Sequence, residues 1–238
     1  MTRTRRAILR SFLSTMCVGA GLAVGAVPAA TAATAATARP AAPDAAQLTR
    51  FFRAVQLDDA GTVNAMLGTV VNANQRNPIG GEPALVLALR EDAMRVVEAL
   101  LAHPGTNLET KAVNGNTALM MAAFKRNRAA VEALLAKGAV VNQAGWTALH
   151  YAAAAGDNEI VTLLLKQGAR VDPVSPLQSG AYTPLMMAAR EGKDDTALLL
   201  MRHGAKATLK NSEGLNAEQL AERAGKPRVA QAIRQGAR

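Results

Sequence analysis

Apolar residues along most of this chain fall in short blocks with a helical spacing, and the blocks recur. Between Gly145 and Asp172, Leu149 to Ala155 forms one block and Ile160 to Lys166 a second, whose Ile160, Val161, Leu163 and Leu164 make one stripe. Gly145 allows a turn with positive φ, and Thr147 carries a hydroxyl that can cap the first helix. Gly156 and Asp157 separate the two blocks, and Gly168 is placed to end the second helix in a left-handed conformation. Ala169 to Asp172 returns the chain through an extended segment. The spacing thus predicts helix, turn, helix and extended return as one unit.

The unit repeats. Pro83-Ala84-Leu85, Thr117-Ala118-Leu119-Met120, Thr147-Ala148-Leu149-His150 and Thr183-Pro184-Leu185-Met186 place register leucines at 85, 119, 149 and 185, with intervals of 34, 30 and 36. Phe51 continues the register 34 residues upstream, and Gly214 to Ala221 continues it downstream in a more polar form. A period of about 33 residues is that of a stacked array, in which no unit can bury its own apolar face alone. Such arrays present a surface more often than they enclose a catalytic pocket.

Thr183-Pro184-Leu185 and Thr147-Ala148-Leu149-His150 resemble the Thr-Pro-Leu-His phrase of ankyrin repeats. Gly138-Ala139-Val140-Val141-Asn142 and Gly168-Ala169-Arg170-Val171-Asp172 resemble that family's Gly-Ala-Asp-Val-Asn ending. The likeness covers roughly residues 45–236. It implies an all-α solenoid, an L-shaped stack of antiparallel helix pairs with protruding hairpin fingers, and a role in binding other proteins. The units are placed at 45–79, 80–113, 114–143, 144–179, 180–212 and 213–236. Ala45–Leu67 and Asn216–Ile233 are expected to cap the two ends. The interval of 30 shortens the finger around Gln143-Ala144-Gly145, and the interval of 36 lengthens that at Pro173 to Tyr182.

The first residues are of another kind. Arg3, Arg5, Arg6 and Arg10 precede an apolar run from Phe12 to Val27, and Ala30-Thr31-Ala32 follows as a small-residue box. This matches a secretory signal peptide, residues 1–32, cleaved before Ala33, with a disordered Ala/Pro-rich linker at 33–44. A retained anchor is the alternative reading, and Arg5-Arg6 loosely resembles a twin-arginine signal. Cys17 is the single cysteine and lies in that leader, so the mature chain would hold no thiol. That suits an oxidising compartment. A bacterial periplasm is the expected location, with secretion as the alternative.

Net charge is +9, and four of the 27 basic residues lie in the leader, so 23 basic against 18 acidic residues leave +5. A mildly basic surface is open to an acidic partner or a membrane surface. No block of five Lys or Arg appears and aromatics do not interleave with basic residues, so nucleic acid is not an expected partner.

Chemistry-bearing motifs are few. There is no phosphate-cradling loop, no His-Glu-x-x-His and no Gly-x-Ser-x-Gly, and beyond the leader serine occurs only as Ser175, Ser179 and Ser212. No catalytic group, metal or cofactor is expected. His103 and His203 sit near the ends of second helices, where a cation suits the dipole. His150 belongs to the repeat phrase, where the resemblance implies local hydrogen bonds to backbone. Val86, Met120, His150 and Met186 form one column of the aligned repeats, and Met121, Tyr151 and Met187 occupy the next. A soft metal could use such a column, but gap-filling between thin helices explains it better.

Binding candidates come from the same alignment. Three residues before each register leucine, on the fingers, stand Glu82, Asn116, Trp146 and Tyr182. Trp146, the only tryptophan, and Tyr182 are expected side by side on neighbouring fingers as exposed anchors for a partner. Five residues after each leucine, facing the concave side, come Arg90, Phe124, Ala154 and Arg190, with Lys125 and Arg126 adjoining. Together they outline a groove with an aromatic centre and basic flanks, suited to an acidic or mixed peptide surface. The expected function is a monomeric, non-catalytic protein-binding module exported to the periplasm. Its alternatives are an immunity or stress-protective factor for a periplasmic enzyme, and a secreted effector acting on host proteins.

Overall fold

Residues 42–236 are described in the computed structural model, and the proposed leader, most of the proposed linker and Cys17 lie outside them. Twelve α-helices follow in six pairs. They are α1 (Ala45–Gln56) with α2 (Ala60–Met66), α3 (Ala84–Arg90) with α4 (Met94–Ala102), and α5 (Ala118–Phe124) with α6 (Arg128–Ala136). Then come α7 (Ala148–Ala155) with α8 (Asn158–Lys166), α9 (Pro184–Arg190) with α10 (Asp194–Arg202), and α11 (Ala217–Arg223) with α12 (Pro227–Gly236). The odd helices pack on one another in chain order as one row, and the even helices form a second row against it. Among the described residues there is no β-sheet, only isolated bridges such as Arg76 with Pro83.

The two rows are built differently because they are buried differently. An inner odd helix is covered by both neighbours and by its own partner, so Ala84 through Leu89 and Ala118 through Ala123 are buried without interruption. The even helices bury one stripe only, such as Val96, Val97, Leu100 and Leu101 of α4. The register leucines Leu85, Leu119, Leu149 and Leu185 are all buried in the resulting continuous core. Alanine at Ala88, Ala122, Ala152 and Ala188 lets the thin layers approach.

Side-chain caps fix where several of the helices start. The hydroxyls of Thr117 and Thr183 accept from the backbone N–H of Met120 and Met186, and Asp157 and Asn127 do the same for Ile160 and Ala130. Between paired helices the chain passes through a left-handed residue, Gly156 at φ 76° in the fourth pair but Asp92 and Arg126 in the second and third. Successive loops are tied by side chains. Asn142 donates to the Gly168 carbonyl and accepts from Arg170 N–H, and Asn74 bridges Gly105 and Asn107 in the same manner.

Fingers project between pairs. The first closes with Asn77 N–H on the Glu82 carbonyl, the second with Ala112 N–H on Asn116, and the longest with Ser175 N–H on Tyr182. The added length of that last finger is taken up by a 3-10 turn at Leu177–Ser179.

Candidate functional site

Three of the chain's seven aromatic residues, Phe124, Tyr151 and Trp146, gather in one band where the middle fingers meet the odd helices. The Phe124 ring, at the end of α5, meets the Tyr151 ring of α7 edge-on at 6.2 Å. Tyr151 stands 6.0 Å from Trp146, whose indole also lies edge-to-face over His150 at 5.1 Å. Such pairs add about 0.5–1.5 kcal/mol beyond the area they bury. Tyr182 lies one finger further along, its ring covered by the Arg190 guanidinium at 5.1 Å. Phe124 is 55% exposed, whereas Trp146, Tyr151 and Tyr182 are half-buried.

The polar groups around this band are already engaged. Arg90 pairs with Glu82 and Glu91, Lys125 with Asp92, Arg126 with Asp157, and Arg190 with Glu191. At the far end Arg223 pairs with Glu213. The Tyr151 hydroxyl donates to Asn116 Oδ1 at 2.5 Å, and burial pushes that phenol's pKa up.

Beneath the band His150 is fully buried. Its Nδ1 accepts from Thr147 N–H at 3.1 Å and lies 3.0 Å from the Thr147 hydroxyl, while Nε2 donates to the Tyr182 carbonyl at 2.9 Å. Only the neutral ring with its proton on Nε2 satisfies that set. Burial lowers the imidazole pKa to about 4, against the opposing pull of the Tyr182 and Pro173 carbonyls. The bond to Tyr182 carries the base of one finger onto the helix of the preceding unit.

Known proteins bring the pattern into focus. The sequence matches the family described as "Ankyrin repeats (3 copies)" over residues 51–144, 95–175 and 140–211. The chain belongs to the ankyrin-repeat family. It is similar to the human transient receptor potential cation channel subfamily A member 1, 29% identical over 160 residues, 64% of this chain and 14% of that protein. It is also similar to protein glp-1 of Caenorhabditis elegans, 30% identical over 183 residues, 70% of this chain and 13% of that protein. A third relative is the neurogenic locus notch homolog protein 1 of Xenopus tropicalis, 31% identical over 143 residues, 59% of this chain and 6% of that protein. The chain therefore spans a small fraction of these relatives' lengths. Ankyrin repeats are protein–protein interaction modules, and the family is typically a non-catalytic scaffold.

Within this ankyrin stack the sequence-selected residues do not all stand where the finger register placed them. Trp146 and Tyr182 were expected as an exposed pair, yet each turns back onto its own unit, Trp146 onto the α7 rings and Tyr182 under Arg190. Tyr182 can fold down because Gly180, at φ 102°, has no Cβ; one added there would lie 2.3 Å from the ring. Asn116 is buried, 8% exposed, drawn in by the closure of its finger and by the Tyr151 hydroxyl. Glu82 is half-buried under Arg90. The basic flanks Arg90, Lys125 and Arg190 carry their own carboxylates, so they form a compensated rim instead of a field of free charge.

Phe124 stands in the open at the end of α5. Tyr151 was missed. In the alignment it shares a column with Met121 and Met187 and reads as filler, although a lone aromatic with a hydroxyl in that column was the available signal. Met120, His150 and Met186 are each buried. Among the described residues no His, Cys, Asp or Glu side chains gather as a metal set, and no helix is long and apolar enough to cross a membrane.

Proposed function

We propose that this chain is an exported, non-catalytic protein-binding stack whose partner sits on the band formed by Phe124, Tyr151 and Trp146. One observation carries this reading: in a chain with 3% aromatic residues, three of the seven pack ring against ring in one band with Phe124 more than half exposed. Large, stiff rings lose little entropy on binding and are the usual anchors of protein interfaces. The paired charges around them form a rim that shields the anchors from water while contributing little energy of their own. Asn116 belongs to this site as the brace of Tyr151, and Tyr182 with Arg190 forms its far edge.

Rigidity is part of the mechanism. Because the middle fingers are tied to neighbouring units through the bonds of His150 to Tyr182 and Tyr151 to Asn116, the surface is held before the partner arrives, which lowers the ordering cost of association. Export is read from the arginine-led apolar segment and small-residue box of residues 1–32, and the proposed destination is a bacterial periplasm.

The test is an affinity pull-down from a periplasmic extract with the wild-type chain, the Trp146→Ala/Tyr182→Ala variant and the Phe124→Ala variant. A partner held by wild type and lost from the variants is the expected result. A partner retained by all three moves the site off the band. Fractionation of expressing cells addresses the location: processed chain in the medium instead of the periplasm would replace the periplasmic assignment with secretion.

A further inference from the structure

The next step along the stack from the aromatic band is an apolar groove between the first two fingers. Ile79 and Val113 are the most exposed large aliphatic residues on the described surface, at 85% and 80%. They line a cavity of about 540 Å³ together with Ala112, Glu82 and Arg90. That volume falls in the range of about 300–1,000 Å³ found for specific binding sites, more than a single side chain fills. It accommodates a side chain together with the backbone that carries it.

Three features define what fits. The charged residues of the groove, Glu82 and Arg90, already hold each other, so a charged occupant would have to break an existing pair. The tips are branched or apolar, so the favourable contact is with an aliphatic side chain. The rim carries the side-chain amides of Gln56, Asn77 and Asn114. The carbonyl oxygens of Asn77 and Asn114 are engaged by the backbone N–H groups of Ile79 and Asn116, which leaves their NH2 groups to donate to the carbonyls of an extended backbone.

Position supplies the last element. Arg90 ends α3 as Phe124 ends the adjacent α5, and α7 with Tyr151 is one helix further. Packed helices stand about 8–10 Å apart, and an extended chain advances about 3.3 Å per residue. One step along the stack is about three residues of such a chain, and two steps about six.

We infer that the partner presents an extended, uncharged segment with an aliphatic residue held between Ile79 and Val113 and a proline or aromatic residue about three to six positions away on Phe124, Tyr151 and Trp146. This rests on the aromatic band being the binding surface. Proline suits the second position because its flat, pre-ordered ring packs well on aromatic faces.

The experiment selects peptides of about twelve random residues displayed on phage against the full chain, then measures the affinity of the enriched peptides for variants. The expected consensus pairs Leu, Ile or Val with Pro or an aromatic residue about three to six positions apart and carries no net charge. Ile79→Ser and Val113→Ser should each weaken binding about tenfold, with little dependence on salt. Both residues are exposed, so unchanged melting curves will show that the fold is intact. Enriched peptides that depend on Phe124 and Trp146 but not on Ile79 or Val113 would overturn the groove and leave the aromatic band standing. Peptides rich in acidic residues, with binding that falls steeply with salt, would overturn the uncharged occupant. Failure to enrich any peptide dependent on either set would overturn both.

Discussion

At the scale of single residues, His150 shows how one side chain joins folding to the site. Its folded pKa of about 4 lies below the ordinary value of 6.5, so the folded state prefers the neutral ring. The unfolded chain therefore binds more protons between those values, and stability rises with pH across that window. The contribution is complete above pH 6.5 and is lost as pH falls towards 4. Urea unfolding at pH 7 and pH 4.5 should show a loss of about 2–3 kcal/mol in the wild type, and His150→Gln should remove that part of the pH dependence. A wild-type slope matched by the variant would assign the effect to other groups. Trp146→Ala, which removes an edge-to-face partner from a half-buried position, should cost about 1 kcal/mol. Phe124→Ala should change stability by less than about 0.5 kcal/mol, because its ring is largely in solvent.

What the sequence made legible at this scale follows from what it encodes locally. Thr147 was readable as a cap because a cap acts within three residues of itself, and Thr117 and Thr183, at the same place in the repeated phrase, cap their helices. The environments of Asn116 and Tyr182 were not, because they depend on Tyr151 and Arg190, which lie 35 and 8 positions away on other elements. Charge was countable, but the pairing of Lys125 with Asp92 required the neighbouring turn to be in place.

At the scale of elements, α7 is the centre of the stack. It packs against α5, α8 and α9 and supplies Leu149, His150 and Tyr151 to core and band together. Leu149→Ala should destabilise the protein by about 2–5 kcal/mol through the cavity it leaves, measured by chemical unfolding. Asp157→Ala removes both the N-cap of α8 and the ion pair with Arg126. It should cost about 1–2 kcal/mol, read from the shift in melting temperature. A shift near zero would mean that α8 is held by its apolar stripe alone. The helix pairs themselves were legible in the recurrence of the register leucines, since burying one face of each thin unit demands that spacing. Finger conformation was less so. The interval of 36 announced a longer finger, but its 3-10 turn and the fold of Tyr182 over Gly180 depend on backbone angles that spacing does not encode.

At the scale of the whole stack, six helix pairs share one core, and nearest-neighbour packing makes each pair depend on the next. The consequence for function is a fixed surface whose properties change along its length: an apolar groove at the first two fingers, an aromatic band in the middle, and the Tyr182, Arg190 and Arg223 edge beyond it. A partner that runs along the stack meets these in order. The central claim is that it rests on the aromatic band. The most direct test places a photo-crosslinking amino acid at position 124, on α5, or at position 132, on the exposed side of α6, in the full chain expressed in its own cells. Adduct at 124 with none at 132 is the expected result. Adduct at 132 with none at 124 would put the partner on the even-helix row and contradict the assignment of the site.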